Sequence, residues 1–309
     1  GSGAGALTIT ATDDINGVGG TVNNVNVVGN LLNRSSLTYD EDSFLAGNLT
    51  NDTTGLVNVS AGLDMRGNNV TNRGGFTIGT DADSAGNLRN VNDLVNERSF
   101  TILGGGTASA NSVLNRNGGA MSVSGTLTSA TAVTNVGATM MIGGVVNATT
   151  GGLINRANTA TGVSGLINMS GGTVNGALTN HSNLQGSGTV NGALVNNGAM
   201  SMNGTVTGQV SNNGTINQNG TLTVGSLVNN EELNINAAGI LRSTQTIRNN
   251  DRLNITGRLE AGLNNHGATS LSGGTITAGV FNSTATSALT GWGRVDGTLI
   301  NQGTVTADN

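Results

Sequence analysis

A chain of 309 residues with 51 glycines, no proline, no cysteine and 2% aromatics lacks the large side chains of an ordinary globular core, so it is expected to fold long and narrow. With 35% hydrophobic and 9% charged residues, charge-driven disorder is excluded, and without cysteine so are disulfides and thiolate metal sites. The net charge of −5 includes 12 basic residues, all arginine, with no basic stretch interleaved with aromatics, so nucleic acid is not an expected partner.

The chain opens with GSGAGA, which has neither the charged nor the apolar region of a signal peptide. No apolar run approaches the ~18 residues that cross a bilayer, so direct membrane insertion is not expected. Residues 1–30 are apolar but irregular and are expected to form an N-terminal cap or first irregular coils. Over residues 31–309 one phrase recurs: an apolar residue, a spacer, an asparagine and a turn. In chain order its asparagines are Asn33, Asn51, Asn72, Asn96, Asn115, Asn135, Asn155, Asn180, Asn196, Asn212, Asn229, Asn249, Asn265, Asn282 and Asn301. They return every 16 to 25 residues or so, a solenoid period.

The rest of the unit agrees. Two positions before the asparagine stand Leu194, Val210, Leu227 and Ile247. Four positions after it stand Leu37, Phe76, Phe100, Leu184, Met200, Ile216, Leu233, Leu253 and Val305. Six after it come Ile78, Ile102, Met202, Ile235, Ile255 and Leu271. Alternating apolar positions mark short strands with one buried face, and Gly and Asn punctuate between them. In LVNNGAMSMNGTVTGQ the strands are expected near Leu194–Asn196, Met200–Met202 and Thr205–Thr207. The expected fold is all-β: a single-stranded parallel β-helix (β-solenoid) of about 15 coils, each with three short strands. Long spacings, from Asn72 to Asn96 and from Asn155 to Asn180, predict protruding loops. Gln218 falls where other coils carry Met202 or Ile235, so either that strand slips register or a polar side chain enters the core.

Stacking places equivalent residues above one another. An asparagine amide can donate to one neighbour and accept from the other, giving an Asn ladder, and asparagine tolerates sharp turns. The fifteen asparagines are therefore expected to be structural. The residue after each is mostly polar and expected to face outward: Arg34, Arg73, Arg116 and Arg156, then His181, Asn197, Asn213, Asn230, Asn250, His266 and Gln302. The two histidines share this offset several coils apart, roughly 25 Å by coil count, and cannot share a metal.

Candidate chemistry is sparse. Glu231, Glu232, Asp251 and Arg252 form the best charged cluster, with Glu232 and Arg252 expected to pair across adjacent coils; a surface ion network is the expected role. The runs at Asp13 and Asp14 and at Asp40, Glu41 and Asp42 are acidic. TDADSAG, with Asp81 and Asp83, lacks the third ligand and terminal Glu of a calcium loop. No catalytic residue, cofactor or metal ligand is expected. Trp292 is expected to cap the last coils, since large aromatics usually bury.

From about Leu31 onward, runs such as LVNNGAMSMNGTVTGQVSNNGTINQNGTLTVGSLVNNEELNI and LINQGTVTADN resemble the passenger repeats of bacterial autotransporters, the type V secretion proteins. The resemblance implies a right-handed parallel β-helix displayed extracellularly at the bacterial outer-membrane surface, as an adhesin or biofilm factor. In these 309 residues the family's signal peptide and C-terminal transmembrane barrel have no counterpart, so the chain is expected to be either a passenger fragment or a solenoid that reaches the surface another way. The expected function is thus a structural or adhesive surface solenoid, not an enzyme, with surface glycans, host proteins or further copies of itself as partners. Alternatives are a subunit polymerising head to tail into a filament through open solenoid ends and a polysaccharide lyase or hydrolase.

Overall fold

The computed structural model describes residues 7–16, 21–23, 25–80 and 85–308, with side chains from Asn26 onward. Among the described residues there are 37 strands and no helix. The glycine content explains the second fact, since each glycine inside a helix costs about 1 kcal/mol relative to alanine. The chain forms a β-solenoid of parallel strands, in two compact units, Gly1–Asn175 and Gly176–Asn309.

In the first unit a representative coil has strands Leu49–Asn51, Leu56–Val59 and Gly62–Asp64. Each strand pairs in parallel with its equivalent one coil away. Asn33, Asn51 and Asn72 lie in register, as do Leu37, Val57 and Phe76. The backbone of Leu7–Asn16 is already parallel to Val25–Asn33, with Asn16 opposite Asn33 and a register shift between Thr10 and Asp13. Stacking therefore starts before residue 31. The long spacing after Asn155 produces a loop at residues 157–165, pinned by an antiparallel bridge between Asn158 and Val163. Asp81 and Asp83 lie outside the described residues.

In the second unit the corners are often gentle enough for strands to run through them. Ala199–Asn212 is one continuous strand of 14 residues that includes the expected segments around Met200 and Thr205. One corner needs glycine: Gly204 has φ 107°, and a Cβ there would lie 2.0 Å from the carbonyl oxygen of Gly188 in the coil below.

Period-two alternation fills the interior. Of the positions four and six residues after each asparagine, Leu37, Phe76, Ile78, Phe100, Ile102, Met202, Ile235 and Ile255 are all buried. Each such side chain contributes roughly 1.5–3 kcal/mol by leaving water. Phe76 and Phe100, neighbours in register, stack with ring centroids 4.9 Å apart.

Three expectations need correction or resolution. Val305 is 43% exposed: it is in register with buried Leu289, but no described coil follows to cover it. Trp292 does not cap the core; it is 61% exposed, opposite Ser272, with its ring against Gly273. Gln218 does not slip: it stays opposite Ile235 and is fully buried, so a polar side chain does enter the core.

Candidate functional site

The corner after the asparagine strand gathers most of the polar side-chain chemistry. Each ladder asparagine ends a three-residue inward–outward–inward stretch, such as Leu194–Asn196, which aims its amide into the coil. Fourteen of the fifteen are fully buried, and Asn301, in the last described coil, is exposed. In the first unit Nδ2 of each donates to Oδ1 of the next: Asn33 to Asn51 to Asn72 to Asn96 to Asn115 to Asn135 to Asn155, at 2.7–2.8 Å. In the second unit the run from Asn180 through Asn196, Asn212, Asn229, Asn249, Asn265 and Asn282 to Asn301 has the same polarity, at 2.7–2.9 Å.

Each amide also ties its own turn. Asn212 donates to the carbonyl of Gly214 at 3.0 Å and accepts from the Gly214 N–H at 3.4 Å, an Asx-type turn. It further donates to the carbonyl of Glu232, in the next coil, at 2.9 Å. One side chain thus joins its own turn to the next coil and leaves no amide donor unused, as burial requires.

The following residue points outward. In the first unit this row is Arg34, Asp52, Arg73, Glu97, Arg116, Val136 and Arg156, so the four expected arginines alternate with two acids. Arg34 meets Asp52 at 3.1 Å, Arg73 meets Glu97 at 3.0 Å and Arg116 meets Glu97 at 2.8 Å. Asp52 is held below its ordinary carboxyl pKa by the Thr53 N–H and then by Arg34. Burial pushes Glu97 up, but hydrogen bonds from Arg73 and Arg116, with their charges, outweigh it and leave the carboxyl below its ordinary value.

In the second unit the same row forms another amide chain. Asn213 donates to Asn197 at 2.9 Å, Asn230 to Asn213 at 2.8 Å and Asn250 to Asn230 at 2.6 Å. Its polarity is opposite to that of the buried ladder. His181 Nδ1 lies 3.3 Å from Nδ2 of Asn197 at one end, and Arg248 Nε donates to Oδ1 of Asn250 at 2.7 Å at the other.

The acidic cluster of the second unit differs from expectation. Glu232 and Arg252 are in register, yet Arg252 approaches Asp251 of its own turn, at 4.0 Å. Register fixes the Cα positions, while the guanidinium swings along the strand. Glu232 accepts from Asn234 at 3.3 Å. Glu260 instead collects two arginines, Arg242 and Arg258; these bonds, Arg242 first, hold its carboxyl below the ordinary value. Among the described residues no group of three or more His, Asp or Glu side chains is placed to hold a metal ion.

No protein-family model, curated protein or solved structure matches this chain.

Sequence reasoning missed Asp52 and Glu97 in the arginine row. It also missed a further outward chain, in which Asn234 donates to Asn217 at 2.9 Å and Asn254 to Asn234 at 2.8 Å. Both follow from repeat offset alone: residues five positions after the ladder asparagine, such as Asn217, Asn234 and Asn254, fall in one row.

Proposed function

We propose that this chain is a structural and adhesive β-solenoid that works without catalysis, by presenting its outward rows to other molecules. The repeat resemblance favours display outside a bacterial cell, at the outer-membrane surface. The observation that supports the reading is the amide run within each unit, Asn33 to Asn155 and Asn180 to Asn301. It ties coil to coil along the same corner, and so holds the next residue of each coil in a fixed outward row. Such a framework suits repeated weak contacts with extended partners such as surface glycans, where many sites act together.

The test is whether an antibody raised against the chain labels intact cells of the source organism, and whether beads coated with the purified chain retain cells or glycans. Labelling only after permeabilisation would overturn the display reading. Depolymerisation of any member of a broad glycan panel would replace the non-catalytic reading with the lyase or hydrolase one.

A further inference from the structure

The charge of the chain is unevenly placed. It is −5 overall, yet the corner row of the first unit carries Arg34, Arg73, Arg116 and Arg156, with Arg98 one position further on, against only Asp52 and Glu97. That is a local excess of three positive charges. Arg34, Arg73 and Arg116 share the two acids. Arg98 donates from Nη1 to the carbonyl of Thr53 at 2.9 Å, which leaves its charge uncompensated. Arg156 is exposed and has no carboxylate partner among the described residues.

The row also retains hydrogen-bonding capacity. Arg34 and Arg73 reach their carboxylates through Nε and are 46% and 48% exposed, so their Nη groups face water. A guanidinium has five N–H donors in a fork that suits carboxylate and sulfate oxygens. From Arg34 to Arg156 the row climbs six coils, about 29 Å at the normal interstrand spacing. Cations thus recur every one or two coils along one corner of the first unit.

We propose that this arginine edge binds an acidic polysaccharide, laid along the stacking direction with its carboxylate or sulfate groups on successive arginines. Arg98 and Arg156 act as the unpaired anchors, Arg34 and Arg73 offer their Nη groups, and Arg116, whose Nε and Nη2 both meet Glu97, offers only Nη1. The edge carries no aromatic side chain on which a base could stack, which disfavours single-stranded nucleic acid. The inference rests on the reading of the chain as a scaffold that presents rows, and supplies a ligand class for one of them.

The test uses the purified full chain with heparin and polygalacturonate as probes, neutral dextran as a control, and single-stranded DNA as a competitor polyanion. Binding is measured at low and physiological salt. The chain is expected to bind both acidic probes at low salt, to weaken steeply as salt rises, and to ignore dextran. The double variant Arg98→Gln, Arg156→Gln is expected to bind about tenfold more weakly or worse with an unchanged melting temperature, because neither residue makes an ion pair. Arg248→Gln, in the second unit, is expected to bind like the parent. Absence of binding at low salt, equal loss in the Arg248 variant, equal binding of dextran, or tighter binding of DNA would each overturn the proposal. Since no cells are involved, its failure leaves the antibody and cell-retention tests of the scaffold reading standing, and the failure of those two leaves this one standing.

Discussion

Inside the second unit, Asn196 donates from Nδ2 to Oδ1 of Asn212 at 2.8 Å, with both side chains fully buried. Removing the Asn212 side chain takes one acceptor from the Asn196 amide, which keeps the carbonyls of Gly198 and Thr215, and it takes the donor to Oδ1 of Asn229 and the tie to the turn at Gly214. Asn212→Ala is expected to lower stability by about 1–3 kcal/mol, the cost of buried groups left without partners. Asn301→Ala is expected to cost much less, because that residue is exposed and water replaces it. Urea denaturation and limited proteolysis of the two variants would check this; equal losses would show that the ladder position carries no special weight.

Most of that corner was legible in the sequence because stacking converts spacing into contact. Once Asn196 and Asn212 are seen to be 16 residues apart within a repeated phrase, the ladder follows. The alternation around Phe76 and Ile78 reveals the core in the same way. Side-chain direction was less legible. Arg252 occupies the expected register opposite Glu232, but a long flexible cation chooses among several acids, and Asp251 is nearer along its own chain. A general tendency of aromatics to bury says nothing about one corner, and Trp292 stands exposed. The pairing of Ser272 with Trp292 lies just before a register shift in that strand. Asp52 and Glu97 needed only the offset count already applied to the arginines.

Gln218 provides a stability gain. Its Nε2 donates to Asn203 Oδ1 at 2.9 Å, while Oε1 is buried without a partner. The position is otherwise apolar, with Ile235 opposite in the next coil. Gln218→Met keeps the length and removes the orphaned carbonyl. Asn203 is only partly buried and can take a water instead. The variant is expected to be about 1 kcal/mol more stable, seen as a higher urea midpoint with unchanged slope. A lower midpoint would mean that the amide is needed where it lies.

Two glycines with positive φ should respond differently to alanine. Gly204 has φ 107°, and its missing Cβ would collide with the backbone of Gly188. Gly118 has φ 77° with nothing within 4 Å of the added atom. Gly118→Ala is expected to cost about 1 kcal/mol, the left-handed penalty alone. Gly204→Ala adds a backbone clash that no rotamer relieves and is expected to cost at least about 2 kcal/mol more. Thermal melts of the two variants decide it; similar shifts would show that the coils can part locally without loss.

Glu97 sets an acid limit on the first unit. Its carboxyl receives Arg73 at 3.0 Å and Arg116 at 2.8 Å, so its pKa in the folded chain lies below the ordinary 4.5 despite the opposing effect of burial. A depressed folded-state pKa means that the unfolded chain binds the proton more readily. The contribution is therefore fully present above about pH 4.5 and fades as the pH falls through the lower, folded value. Glu97→Gln is expected to lower the melting temperature at neutral pH and to flatten the fall in stability on acidification, because the amide no longer titrates. It also leaves Arg73 and Arg116 without their shared carboxylate, so raising the salt concentration should narrow the gap between variant and parent. Melts at neutral and acid pH, at low and high salt, would check both signs; parallel pH profiles for parent and variant would show that the Arg73–Glu97–Arg116 bridge contributes nothing to stability.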